Sequence, residues 1–280
     1  MKTGLVLSGG GVRGIAHIGV IKALEEHEIT ISHIAGTSAG AIVGALYAAG
    51  TGWQELLEFF KSVELFSLSK YATNKPGFVD AEKFYAQFLD YFPEDNFKAL
   101  KKPLYITATN ILDGSLRVFH KGELIRPVLA SSSFPGVFAP VKINDGYYVD
   151  GGILNNFPSD LIKKHCDRMI GVYVNPFEKI EIGGLKHSYT VLERAFKIIM
   201  AKEALAKFDD CDLIISPEGL DNYSTFVLKD MDTIFNLGYE AACKAFEHWE
   251  SKKTAYPLAP EFEAMNGFSM DTIDTEKSDV

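Results

Sequence analysis

The sequence predicts an α/β fold with a mainly parallel sheet and covering helices. Three observations carry the prediction. Short apolar runs alternate with amphipathic stretches through the first half of the chain. The runs are continuous, as strands buried on both faces require. Glycine clusters stand at two run-to-helix junctions, Gly9–Gly14 and Gly36–Gly40.

Thr3–Ser8 is an apolar run ending in glycines and reads as a buried strand. Gly14–Glu28 reads as a helix, because His17, Val20, Ile21 and Leu24 recur at i, i+3, i+4 and i+7. Ile31–Thr37 is a second strand and Ala39–Ala49 a second helix. That order implies parallel strands joined by crossover helices. The stretch from Gly52 to Phe97 departs from the pattern, being crowded with aromatic residues. Helices are expected at about 52–61 and 80–91, joined by a loop carrying Pro76-Gly77. The stretch reads as an insertion over the sheet edge. Its aromatics either pack in the core or form a lid or acyl-binding wall.

The sheet resumes with Pro103–Asn110 and Leu116–His120, followed by a helix over Glu123–Ser131 with Pro127 near its start. Val141–Ile143 and Tyr147–Val149 flank Asn144-Asp145-Gly146, a hairpin signal. Arg168–Val174 and Asp212–Ser216 are further buried strands, and Tyr189–Phe208 and Met231–Glu250 are amphipathic helices. The expected organisation is one catalytic domain over 1–250, with the insertion at about 52–97, and a poorly ordered polar tail over 251–280.

The 280 residues carry 28 basic and 37 acidic side chains, a formal net charge of −9. That balance argues against a nucleic-acid binder and against docking on anionic lipid by charge alone. Contact with a membrane surface through apolar residues stays open. Cys166, Cys211 and Cys243 have no CxxC spacing, so reduced thiols and a cytoplasmic setting are expected. The N-terminus lacks the apolar length of a signal peptide. The longest apolar stretch, Ala39–Gly50, falls short of the roughly 20 residues that span a bilayer. No clustered His, Cys, Asp and Glu spacing points to a metal, and no cofactor is expected.

Two motifs carry chemistry. Ser8-Gly9-Gly10-Gly11-Val12-Arg13-Gly14 follows a strand and opens a helix. Bare backbone amides at a helix N-terminus suit an anion. Gly9, Gly11 and Gly14 also satisfy GxGxxG, but the second strand ends in Gly36-Thr37-Ser38 rather than the acidic residue a dinucleotide site expects. Gly36-Thr37-Ser38-Ala39-Gly40 is GxSxG between a strand and a helix, the context of a nucleophile elbow with Ser38 as nucleophile. Such a serine needs a base. Asp150, in Asp150-Gly151-Gly152 at the end of a hairpin strand, is the strongest candidate. His17 lies on an apolar helix face and reads as a buried structural residue. His165 reads as a surface residue. His33 and His120 lack a partner motif, and His27, His187 and His248 have charged surroundings.

Together these residues resemble the patatin-like phospholipase family. Gly9–Gly14 is similar to its Gly-Gly-Gly-x-Arg/Lys-Gly loop, Gly36–Gly40 to its GxSxG, and Asp150–Gly152 to its Asp-Gly-Gly/Ala. Ala130–Val141 and Asn156-x-Pro158 support the likeness, which covers about residues 4–175. The resemblance implies a three-layer sandwich and a Ser38–Asp150 dyad without histidine. It also implies an oxyanion hole drawn from Gly9, Gly10, Gly11, Arg13 and Ala39, with Arg13 orienting the loop or meeting a lipid phosphate. Lipid acyl esters (phospholipid, lysophospholipid or glyceride) would be cleaved through an acyl-Ser38 intermediate without a cofactor, and short esters would serve as small substrates. The alternatives are an acyltransferase using the same dyad, or a non-catalytic lipid-binding scaffold.

Overall fold

The structure, a computed structural model, describes residues 1–62, 79–176, 180–182, 188–223 and 230–251. Strand β1 (Thr3–Leu7) is buried along its whole length. Its side chains alternate between two cores, Leu5 and Leu7 on one side and Val6 on the other. Such double burial explains the unbroken apolar run. β1 pairs in parallel with β2 (Ile31–Gly36) on one edge and β7 (Arg168–Val172) on the other. β8 (Leu213–Ile215) extends the sheet beyond β7, also in parallel.

β3 (Leu104–Asn110) pairs in parallel with β2. The remaining partners are antiparallel: β4 (Leu116–Phe119) and β6 (Gly146–Asp150) on β3, and β5 (Val141–Ile143) on β6. The path runs β5-β6-β3-β2-β1-β7-β8, with β4 branching from β3. The β5–β6 turn forms as its sequence demands, with Asn144 at a left-handed φ of 51°.

Helices cover both faces. Helices α1 (Ile15–Glu26), α2 (Ala39–Ala49), α3 (Trp53–Ser62), α5 (Ile125–Ser131) and α7 (Met231–Ser251) pack on the larger core. On the opposite face α6 (Ser188–Leu205) brings Ala204 against Val6, Phe157 and Tyr173. The result is the three-layer arrangement.

Several boundaries shift from expectation. Gly11–Gly14 forms a 3-10 turn before α1, so the first helix starts later than its periodicity suggested. The expected 80–91 helix is a 3-10 turn, Ala81–Phe84, followed by the short α4 (Tyr85–Leu89). Phe59, Phe84, Phe88 and Phe92 are buried in the same core as Leu5 and Ile34, so these aromatics are core rather than a wall set apart from it. Pro76-Gly77 and the tail beyond Ser251 lie outside the described residues.

Candidate active site

Ser38 and Asp150 lie far apart along the chain and meet because β2 and β6 share one edge of β3. β2 pairs with Leu104–Ile106, and β6 with Ala108–Asn110. β4 pairs across Ile106–Thr109, overlapping both, and so takes the opposite edge. β2 therefore ends at Gly36 opposite Ile106, and β6 arrives from the other direction with Asp150 opposite Ala108. The two chain ends converge at the C-terminal edge of the parallel strands, where such sheets hold ligands.

Ser38 adopts φ 54°, ψ −124°, a left-handed conformation rare for a residue with a side chain. This is the strained elbow expected from GxSxG. The flanking glycines are required by contact: a β-carbon on Gly36 would lie 2.4 Å from the Gly40 carbonyl oxygen, and one on Gly40 would lie 2.2 Å from that of Leu7. The Ser38 N–H donates to Ser131 Oγ at 2.9 Å, which pins the elbow to α5. Thr37 Oγ1 donates to the Asn155 carbonyl at 2.8 Å and lies 2.6 Å from Thr107 Oγ1, tying the elbow to β3 and to the turn after Asp150.

The Asp150 side chain is hydrogen-bonded to the Ser38 side chain and accepts the Gly152 N–H at 2.8 Å. It is only 4% exposed. Burial pushes its carboxyl up to about 6, against the opposing pull of the Ser38 and Gly152 bonds. The group is therefore mostly ionised at neutral pH yet far more basic than a carboxylate in water.

The glycine loop lies beside this pair. Gly9 N–H donates to the Asn156 carbonyl at 3.3 Å, so it is engaged inside the protein. Ala39, first in α2, has no intrahelical acceptor for its N–H. Arg13 is 1% exposed, not at the surface. Its Nη2 donates to Asn175 Oδ1 at 2.5 Å and its Nε to the Gly10 carbonyl at 3.4 Å, so it braces the loop from within. His17 is fully buried beneath the loop, its Nε2 2.8 Å from the Ser8 carbonyl oxygen, and burial lowers its pKa to about 4. It is a neutral structural histidine. His165 is exposed, as its surroundings in the sequence suggested, and stacks on His33 at 5.6 Å, away from Ser38 and Asp150.

Asn175 and Glu203 escaped the sequence reading. Asn175 follows a buried strand as a polar residue at its C-terminal end, a signal for it once the loop was known. Glu203 accepts the Asn156 N–H at 3.0 Å from α6, a contact no local pattern announces.

Among the described residues no helix is long and apolar enough to cross a membrane. The chain is 27% identical over 280 residues to lysophospholipase NTE1 of Scheffersomyces stipitis, covering 88% of this chain and 18% of that protein. It is 35% identical over 181 residues to an uncharacterized NTE family protein of Mycobacterium tuberculosis, covering 63% of this chain and 50% of that one. The chain thus spans half or less of these relatives' lengths. The crystal structure of VipD from Legionella pneumophila superposes with a TM-score of 0.55 at 16% identity, covering 88% of this chain and 67% of that one, a likeness of fold. The family model for the patatin-like phospholipase matches residues 5–162, more than half of the chain and the whole span that carries the glycine loop, the elbow and Asp150, and the chain belongs to that family.

Proposed function

We propose that the protein is a serine acyl-ester hydrolase acting on lipids, with Ser38 as nucleophile and Asp150 as general base. The hydrogen bond between a strained serine and a buried carboxyl of raised pKa carries the reading. Ser38 Oγ attacks the ester carbonyl carbon while its proton passes to Asp150. The Gly10, Gly11 and Ala39 amides hold the oxygen on which charge builds, each such donor being worth about 3–4 kcal/mol. Collapse expels the alcohol, which takes the proton from Asp150, and leaves acyl-Ser38. Asp150 then accepts a proton from water as water attacks the acyl carbonyl. The acid leaves, and Ser38 recovers its proton from Asp150.

Phospholipids, lysophospholipids and glycerides share the ester this machinery needs. Family membership and the similarity to a lysophospholipase support that substrate class. The catalytic unit of this proposal spans residues 1–250, working in the cytoplasm with transient contact at a membrane surface. Leu154 after the Asp150 turn and Ile198 and Ile199 on α6 are exposed apolar side chains suited to that contact. The test is labelling with a fluorophosphonate probe, together with hydrolysis of a panel of phospholipids, lysophospholipids, glycerides and short esters. Labelling and hydrolysis should both vanish in Ser38→Ala. A labelled protein that transfers acyl groups to alcohols but not to water would be an acyltransferase, and an unlabelled one a lipid-binding scaffold.

A further inference from the structure

Asn156 joins three parts of the site. Its carbonyl accepts the Gly9 N–H at 3.3 Å, and its own N–H donates to Glu203 Oε2 on α6 at 3.0 Å. Its side-chain amide occupies the space between the glycine loop and the Asp150 turn. A β-carbon on Gly9 would lie 2.4 Å from Asn156 Oδ1 and 3.1 Å from Ser38 Cβ. A β-carbon on Gly152 would lie 2.8 Å from the same Oδ1 and 3.0 Å from Asp150 Oδ1. Both glycines thus leave room for this one amide, and each of them also borders one of the two side chains assigned to catalysis, Gly9 that of Ser38 and Gly152 that of Asp150.

The residue is 1% exposed, and its Nδ2 has no hydrogen-bond partner among the described residues. Leaving a buried amide donor unpaired is destabilising. An apolar side chain of similar size would avoid that penalty, and a carboxylate of the same shape would set a second negative charge against Asp150. A neutral polar group of this size is a poor choice for stability alone.

We propose that Asn156 is a positioning residue, whose neutral amide fixes the spacing between the glycine loop and the Asp150 turn and keeps water and charge out of the gap. The proposal rests on the Ser38–Asp150 reading above. Among the titratable groups on the surrounding elements, Tyr173 is fully buried, and burial raises its pKa and keeps it neutral. Glu203 on α6 is paired with Lys207 at 2.5 Å. Arg13 is held by Asn175, and the neutral His17 sits below Ser8. Asp160, beyond Asn155, is paired with Lys207 at 2.7 Å. The raised pKa of Asp150 follows from burial set against its Ser38 and Gly152 bonds, so its response to the gap is readable in a pH profile.

The experiment compares the full chain with Asn156→Ala and Asn156→Asp on a soluble short-chain ester, with kcat, KM and the pH dependence of kcat/KM measured for each. Asn156→Ala should lower kcat roughly 10- to 100-fold by loosening the reacting geometry, with KM within about twofold. It should move the acidic limb to lower pH, because water entering the gap relieves the desolvation of Asp150. Asn156→Asp keeps the shape and should move that limb to higher pH, because a like charge disfavours ionisation. Opposite displacements by the two variants place the amide beside Asp150, and a loss in kcat without a change in KM marks it as positioning the reacting groups. If Asn156→Ala does not fold, the isosteric Asn156→Asp decides alone. Acidic limbs unchanged from the unaltered protein, or kcat of Asn156→Ala within threefold of it, overturn the proposal. Ser38→Ala runs alongside: turnover surviving there would sink the nucleophile assignment itself, a separate failure.

Discussion

Asp150 gains its basicity from where it sits. In water a carboxylate near 3.9 takes a serine proton poorly; burial lifts Asp150 to about 6. In the proposed mechanism the general base acts in its ionised form, so kcat/KM should rise with pH through about 6 and level above it, as a pH–rate profile on a soluble ester would reveal. Asp150→Asn should cut kcat by roughly 10²- to 10⁴-fold, the usual worth of general-base help. The same variant should affect stability in the reverse sense. A carboxyl whose folded pKa is raised adds stability below its unfolded pKa, and that stability is lost as pH rises through about 6. Thermal melts should therefore show Asp150→Asn gaining on the unaltered protein above pH 6 and losing that advantage in acid. At this scale the sequence was most informative. GxSxG and Asp-Gly-Gly marked the elbow at Ser38 and the turn after Asp150, because each needs small residues at fixed offsets. The engagement of Gly9 by Asn156 and of Arg13 by Asn175 was illegible, because each depends on a partner brought in by another strand end.

At the scale of elements, α1 and α7 cross where both lack side chains. A β-carbon on Gly19 would lie 2.1 Å from the Phe235 carbonyl oxygen, and one on Gly238 would lie 2.0 Å from that of Ala16. Neither backbone can yield without parting the helices. Gly19→Ala or Gly238→Ala should therefore destabilise by about 1–3 kcal/mol, as overpacking does, measurable as a lower denaturant midpoint. The aromatic stretch gives a second test. Phe88 is fully buried and meets Phe59 edge-on at 5.2 Å. Phe88→Ala should cost about 3–5 kcal/mol and reduce turnover of long and short esters together, as a core residue would. A selective loss on long chains would restore the acyl-wall reading. Strands and long helices were legible through their apolar runs and periodicity. The 3-10 segments at Gly11–Gly14 and Ala81–Phe84 were not, because their residues suit either helix type and tertiary contacts decide.

The whole molecule turns on the meeting of β2 and β6 along one edge of β3, which brings Ser38, just past β2, into hydrogen-bond contact with Asp150 at the end of β6. Alternation of strand and helix made the parallel half of the sheet legible. Of the antiparallel half only the β5–β6 hairpin was signalled, and nothing local said that β4 and β6 would pair with β3 or that β6 would continue the edge that β2 leaves. The C-terminal edge of the sheet also bears on lipid contact. Ile198 and Ile199 are 50% and 53% exposed on α6, the helix that holds Asn156 through Glu203. With a net charge of −9, binding to zwitterionic vesicles should exceed binding to anionic ones. Replacing both isoleucines by glutamate should weaken sedimentation with phosphatidylcholine vesicles while sparing hydrolysis of a soluble ester. The most direct measurement of the central claim is the rate and position of fluorophosphonate adduct formation, read by mass spectrometry. A single adduct on Ser38, absent in Ser38→Ala and at least a hundredfold slower in Asp150→Asn, is the expected result (~10²-fold or more for loss of a general base). An adduct on another residue, or full-rate labelling of Ser38 without the Asp150 carboxylate, would contradict it.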